Sequence, residues 1–308
     1  MAVPPQTSGV RPRVALIGAG ALGTALARRL AARGYPVAAV LSRTEASARR
    51  LAARVGAPVA AATLTALPDE VTLVLCCVPD EALPGLAERL YLLSRDWSGT
   101  TVAHTSGALT SEALEPLALL GAATLGFHPV QTFTGDTPPE AFEGIYVGLE
   151  GDARAVAFGR RLAADLGARA VVVPAETKAL YHLAASLASN FFVTLMALAG
   201  ETLAAAGIDP AARAALVRPL VEGAWRNLSA HTPEEALTGP IARGDHGTVA
   251  RHLAALEDAL PHLVPVYAAL ATETVRLAVR GGKLASDDAE RILTLLQKAL
   301  DAPRDPLF

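Results

Sequence analysis

The most constraining feature of this 308-residue chain lies between Arg13 and Arg43. An apolar run, Val14-Ala15-Leu16-Ile17, leads into Gly18-Ala19-Gly20-Ala21-Leu22-Gly23. A helix-forming run follows, and a second apolar run, Val37 to Leu41, ends at Ser42-Arg43-Thr44. Strand, glycine turn, helix and strand in that order make the βαβ unit that binds dinucleotides. In this pattern Gly18 permits the tight turn, Gly20 lets backbone N–H groups approach a pyrophosphate, and Gly23 lets the helix pack closely on the strand. The phosphate charge then meets the positive end of the helix. A lone glycine pattern is weak evidence, and the flanking elements are what make this one specific.

The end of the second strand selects the cofactor. An NAD site places Asp or Glu there to accept hydrogen bonds from the ribose 2′-OH. Here the place is held by Ser42 and Arg43. A carboxylate repels a 2′-phosphate, whereas a guanidinium pairs with it through two parallel hydrogen bonds and a hydroxyl adds a third. NADP(H) is favoured over NAD(H). The alternative is that Arg43 is solvated and Glu45 takes the ribose.

The chain is long enough for two domains, and 52% hydrophobic content supplies a sizeable core. A formal charge of −3 and a pI near 6.2 provide no basic face for nucleic acid. The first 13 residues carry three prolines and no apolar signal region, so they read as a loose tail on a cytoplasmic protein. Cys76 and Cys77 are adjacent on an apolar run and read as core residues. From Ala179 to Gly200 there is no Asp, Glu, Lys or Arg, a length sufficient to cross a bilayer. The stretch nevertheless contains His182, Ser186, Ser189, Asn190 and Thr194, and it reads as a helix buried between domains or subunits, with no membrane partner.

Val71 to Val78 is an unbroken apolar run stopped by Pro79-Asp80, as expected of a central parallel strand. Thr100 to Thr105, Ala123 to Phe127, Ile145 to Leu149 and Ala170 to Val173 read as further strands. Helical stretches from Leu109 to Leu120 and from Ala153 to Leu166 lie among them. Such alternation predicts an α/β fold with a doubly wound Rossmann-type sheet over 14–174. From Ala175 the periodicity is helical with no strand signal, which predicts an all-helical substrate and dimerisation domain over 175–308. Its first helix is expected from Thr177 to Gly207. A second starts at Asp209-Pro210, with Asp209 as N-cap, and two more cover Val249 to Ala278 and Asp287 to Leu300. Gly239-Pro240 and Arg243-Gly244-Asp245-His246-Gly247 read as breaks.

In open α/β sheets the ligand lies beyond the carboxyl ends of the strands. Besides the glycine turn, three strand ends are suggestive: Val78-Pro79-Asp80, His104-Thr105-Ser106-Gly107 and His128-Pro129-Val130-Gln131. The first borders the cofactor, and the others bring two histidines and a serine to the same edge. A histidine in reach of a carbonyl or imine donates a proton as hydride arrives; equally, His104 and His128 serve as structural residues bonded to nearby loops. Lys178 opens the long helix with His182 at i+4 on the same face. At the mouth of a partly desolvated cleft such a lysine has a lowered pKa and serves as proton donor. Asn190 lies 12 residues on, close to the same helical face. Solvated Lys178 and structurally bonded Asn190 are the alternatives. The remaining histidines show no metal-ligand spacing, so no metal is indicated. Ser106 does not match a G-x-S-x-G elbow.

The glycine turn, Val78-Pro79-Asp80, His104-Thr105-Ser106-Gly107, Gly126-Phe127-His128-Pro129, Lys178-Ala179-Leu180-Tyr181-His182 and Thr238-Gly239-Pro240 resemble the Rossmann-like proteins that carry a C-terminal DUF2520 domain. The likeness covers nearly all of residues 11 to 300. Members are often labelled NADP- or F420-dependent oxidoreductases. The wider superfamily includes pyrroline-5-carboxylate reductase, ketopantoate reductase and the β-hydroxyacid dehydrogenases. The resemblance implies a helical C-terminal domain used for dimerisation and a cleft between domains. The hydroxyacid dehydrogenases carry Lys followed four residues later by Asn, whereas Lys178 is followed at that spacing by His182. Ser189-Asn190 lacks the glycine and proline of the Ser-Gly-Pro in pyrroline carboxylate reductases. Neither activity is carried over.

The sequence thus predicts an NADP(H)-dependent oxidoreductase acting on a small carbonyl, imine or alcohol as a homodimer. Lys178 is expected to move the proton. His104, Ser106, His128 and Asn190 would orient the substrate, with Arg243 supplied by the partner subunit. A non-catalytic NADP(H) sensor or assembly protein, and hydride exchange between F420 and NADP, are the competing readings.

Overall fold

The computed structural model describes residues 11–302, so residues 1–10 of the expected tail lie outside the described residues. Contacts divide the chain into two compact units, Met1–Asn190 and Phe191–Phe308. The expected boundary at 174/175 therefore moves to the far side of the helix that opens with Lys178.

In the first unit β1 (Val14–Ile17) runs through the glycine turn into α1 (Ala21–Ala32), then β2 (Val37–Leu41), α2 (Glu45–Val55) and β3 (Val59–Ala61). β4 (Leu73–Cys76), α3 (Leu83–Tyr91), β5 (Thr101–His104), α4 (Glu115–Ala118) and β6 (Ala123–Pro129) follow. β7 (Tyr146–Gly151), α5 (Ala153–Asp165), β8 (Arg169–Val172) and α6 (Lys178–Ala188) complete the unit. The sheet order is β3-β2-β1-β4-β5-β6-β7-β8. All neighbours are parallel except β6 and β7. The β6 to β7 connection contains only a 3-10 turn, Pro139–Phe142, and without a crossover helix the chain returns antiparallel.

Strands β1, β2 and β4 are buried at every residue, because helices cover both faces of the sheet. Leu16 and Val40 pack with Leu26, Leu51 and Leu162 on one face. Ile17 and Val74 pack with Leu86 and Trp97 on the other. Sheet order reverses between β1 and β4, and the carboxyl ends beside that point are where ligands bind in such sheets.

Three expected helices differ. Over Leu109 to Leu120 the chain forms a 3-10 turn, Ser111–Leu114, and then the single turn of α4. The N–H groups of Ala108 and Leu109 are taken by Ser106 Oγ, so a side chain competes with the helix for its first donors. The long helix expected from Thr177 to Gly207 is two, α6 and α7 (Asn190–Ala205). They are separated by Ser189, whose φ of −120° and ψ of −71° leave the helical geometry. The expected helix over Val249 to Ala278 is also two, interrupted at Leu260-Pro261, where a proline cannot continue the ladder.

The second unit continues with α8 (Pro210–Ala230), α9 (Pro233–Ala236), α10 (His246–Ala259), α11 (Val264–Arg280) and α12 (Ser286–Asp301), and carries no strand among the described residues. Gly207 ends α7 with φ +76°, and Asp209 caps α8 by accepting from Ala211 N. Of the glycine-rich break at 243–247 only Gly244 is left-handed, because Asp245 caps α10 and draws His246 and Gly247 into its first turn. The core lies among α10, α11 and α12, built on Val249, Val264, Ala268, Ile292 and Leu296. Helices α7 and α8 contribute no buried residue.

Candidate functional site

Strand β1 delivers the chain to Gly18 at φ +109°, and a Cβ there would lie 2.2 Å from the Cys77 carbonyl oxygen. Only glycine fits both constraints. At Gly23 a Cβ would lie 2.1 Å from Gly18 O, which is the close helix packing that the sequence pattern predicts. At Gly20 a Cβ would meet nothing within 4 Å, so the turn opens onto free space. Gly20 is also the N-cap of α1, with no side-chain cap and no acidic residue in the first turn. The first N–H groups of Ala21, Leu22 and Gly23 are left for an outside acceptor.

That space is a cavity of about 430 Å³, within the range of roughly 300–1,000 Å³ usual for small-molecule sites. It is lined by Gly18, Ala19, Gly20, Ser42, Arg43, Thr44, Val78 and Pro79 from the expected set. Ser47, Leu64, Ala82 and Arg89 line it as well and were not singled out by sequence, and so does Cys77, expected in the core but only partly buried. Arg43 is exposed and makes no hydrogen bond or ion pair among the described residues. Glu45, the alternative ribose acceptor, is instead bridged to Arg49 at 2.6 Å. Thr44 caps α2 by accepting from Ser47 N. Asp80 is not in the cavity lining: its carboxylate accepts the Ser106 hydroxyl at 2.8 Å.

A second group of polar side chains occupies the ends of β5, β6 and β7. His104 is fully buried. Its Nδ1 accepts from Ser106 N at 3.2 Å and its Nε2 faces Thr110 O at 3.1 Å, so both nitrogens are committed. Burial and the neighbouring Lys178 charge push its pKa down to about 4. Ser106 Oγ donates to Asp80 and accepts from Ala108 N and Leu109 N. Both residues brace the loop after β5, with their polar side-chain atoms engaged by neighbours among the described residues.

Lys178 is 3% exposed, and its ammonium donates to Glu150 Oε2 at 3.2 Å. The slot it fills exists because residue 126 is glycine, where a Cβ would lie 2.4 Å from Nζ. Glu150 also accepts from Ser111 N at 2.6 Å and Ser111 Oγ at 2.7 Å. Burial lowers the Lys178 pKa, with Glu150 opposing. The setting is a buried ion pair and not a cleft mouth. Its ammonium has three donors and one hydrogen-bond partner among the described residues.

His128 Nδ1 lies 2.8 Å from the Tyr181 hydroxyl, and the His182 ring stands edge-on at 6.0 Å between centroids. Burial, then His182, then Lys178 push the His128 pKa down to about 4. A Cβ on Gly107 would lie 2.5 Å from His182 Cδ2 and 2.9 Å from His128 Nε2, so the bare peptide forms one wall of this group. Asn190 is exposed at the first residue of α7. The break at Ser189 removes the uninterrupted period on which its alignment with Lys178 rested. Glu150, Tyr181 and Ser111 were missed by sequence.

Residues 1–129 match the family model of the Rossmann-like domain and residues 145–274 that of the domain of unknown function DUF2520. The chain thus carries a Rossmann-like domain followed by a DUF2520 domain. A Bacteroides fragilis protein provisionally named an NADP oxidoreductase is similar at TM-score 0.72 and 28% identity, over 86% of this chain and 98% of that one. A Thermotoga maritima protein is similar at 0.67 and 28%, over 87% and 98%. The imine reductase of Myxococcus stipitatus, solved with NADP+, shares the fold at 0.60 and 19%, over 93% and 100%. A search of curated proteins found no match.

Proposed function

We propose that this protein is an NADP(H)-dependent oxidoreductase that moves hydride to or from a small carbonyl, imine or alcohol. The observation that carries the reading is the placement of the glycine-turn cavity and the Lys178, Glu150 and His128 group on the carboxyl edge of one sheet. The residues present fit the dinucleotide: open space at Gly20, an uncapped helix start, and an unpaired guanidinium at Arg43 beside Ser42. Ser42 and Arg43 would hold the 2′-phosphate, and the N–H groups of α1 the pyrophosphate. When bound, NADPH supplies the hydride. The similarity to proteins solved with NADP+ or NADPH supports the choice.

Lys178 would hold the proton that the substrate oxygen or nitrogen takes up when its carbon accepts hydride. The ammonium then becomes a neutral amine beside the still charged Glu150, and solvent returns the proton. Its lowered pKa favours that release. His128 would contact the reacting group. A pure NADP(H) sensor has no need of a buried Lys-Glu pair, which costs desolvation without adding to nucleotide binding.

The test is NADPH oxidation measured against ketones, aldehydes and cyclic imines. Turnover with one of these classes is expected. NADPH binding with no turnover on any of them points instead to the sensor reading.

We also propose that a second copy covers the helical unit. Phe191, Val193, Leu220 and Trp225 are 52%, 66%, 75% and 69% exposed in the single chain. The segment Ala175–Ala205 is long and apolar enough to cross a membrane. Its first turns, however, are fastened to the sheet through Lys178 and Tyr181, and it breaks at Ser189. Light scattering should give twice the 31.7 kDa chain mass, and Leu220→Glu with Trp225→Glu should return the monomer; a monomeric wild type contradicts this.

A further inference from the structure

The Tyr181 hydroxyl fills space that Gly148 leaves open, where a Cβ would lie 2.4 Å from its oxygen. A half-buried phenol O–H needs an acceptor, and the one beside it is His128 Nδ1 at 2.8 Å. Among the described residues His128 Nδ1 is the hydrogen-bond partner of the phenol, so the hydroxyl proton points at the imidazole. Nδ1 therefore accepts, and a neutral ring then carries its proton on Nε2. The ring is kept neutral by burial, with neighbouring His182 and the Lys178 charge acting in the same direction and Asp80 opposing. Nε2 lies at the bare Gly107 peptide and makes no hydrogen bond among the described residues.

We propose that Tyr181 fixes the tautomer of His128, so that Nε2–H serves as a neutral hydrogen-bond donor to an uncharged acceptor on the substrate, a carbonyl oxygen or an imine nitrogen. The assignment rests on the oxidoreductase reading and narrows its substrate class. A neutral imidazole polarises a C=O or C=N bond without giving up its proton, since loss of that proton would leave an imidazolate. The proton for the product comes from Lys178. A protonated iminium has no lone pair for Nε2–H. A carboxylate gains little from Lys178, whose charge Glu150 balances, or from His104 and His128, which are neutral. Tyr181 is a positioning residue that acts through His128.

The experiment is a long-range 1H–15N spectrum of the histidine rings in the full-length, 15N-labelled protein near neutral pH, with no cofactor added. His128 should show a protonated Nε2 and a pyridine-like Nδ1, and Tyr181→Phe should convert it to a tautomer mixture. Gly148→Ala, which displaces the hydroxyl, should do the same if the first variant folds poorly. Cyclopentanone, used as a neutral carbonyl probe, should move the Nε2 resonance, and acetate should not. A protonated Nδ1 in the wild type, or a tautomer unchanged by both variants, overturns the positioning role. No shift with cyclopentanone, or an equal shift with acetate, overturns the substrate class. NADPH titration of the same samples reports separately on the oxidoreductase reading, so the two failures are distinguishable.

Discussion

Lys178 Nζ and Glu150 Oε2 stand 3.2 Å apart with side chains 3% and 8% exposed, which joins the first turn of α6 to β7 in the interior of the sheet edge. Removing one partner leaves a buried charge uncompensated. Lys178→Met should therefore destabilise the protein by about 3–5 kcal/mol. The double variant Lys178→Met/Glu150→Gln restores neutrality and should recover most of that loss in urea denaturation. It should also bind NADPH as the wild type does while losing turnover, and retained turnover would remove Lys178 from proton transfer.

The glycines in β6 and β7 are spacers for this group. Gly126→Ala places a Cβ 2.4 Å from Lys178 Nζ and 3.2 Å from Glu150 Oε2, so the ammonium must leave its partner. A loss of about 1–3 kcal/mol is expected from the overpacking, together with loss of turnover. Gly20→Ala meets nothing and should fold normally, yet it should weaken NADPH binding because its methyl enters the open space of the turn. Differential scanning fluorimetry with and without NADPH separates the two outcomes.

Stability should fall on acidification. The folded-state pKa of His104 is about 4, below its ordinary value of 6.5, so the unfolded chain takes the proton first. The stabilisation is fully present above about pH 6.5 and is lost as the pH falls toward 4, at about 1.4 kcal/mol per pH unit. His128 is shifted in the same direction and adds to the slope. Urea midpoints measured between about pH 7 and pH 5 should show this decline. His104→Gln should flatten it, and an unchanged slope in that variant would remove His104 as its source.

The opening βαβ unit was legible in the sequence because its constraints are local: Gly18 needs φ +109°, and Gly23 must approach its own strand. Apolar runs located β1, β2 and β4 for the same reason, since strands covered on both faces tolerate little else. The Lys178 setting was not legible. Its partner Glu150 lies 28 residues earlier, at the end of an apolar strand, and nothing in the lysine's own neighbourhood points to it. The available signal was the pair of strand glycines, Gly126 and Gly148, because glycine inside a strand marks a close approach. The break at Ser189 escaped because no proline or glycine marks it.

Cofactor selection by Arg43 is the most direct test of the account. Its guanidinium stands at the cavity without a partner among the described residues, while Glu45 is engaged by Arg49. In fluorescence titrations the wild type should bind NADPH more tightly than NADH. Arg43→Asp should weaken NADPH binding by about 10- to 100-fold, as loss of charge-assisted hydrogen bonds implies, and leave NADH affinity nearly unchanged. Failure of the wild type to bind NADPH, or equal NADPH affinity in wild type and Arg43→Asp, would contradict it.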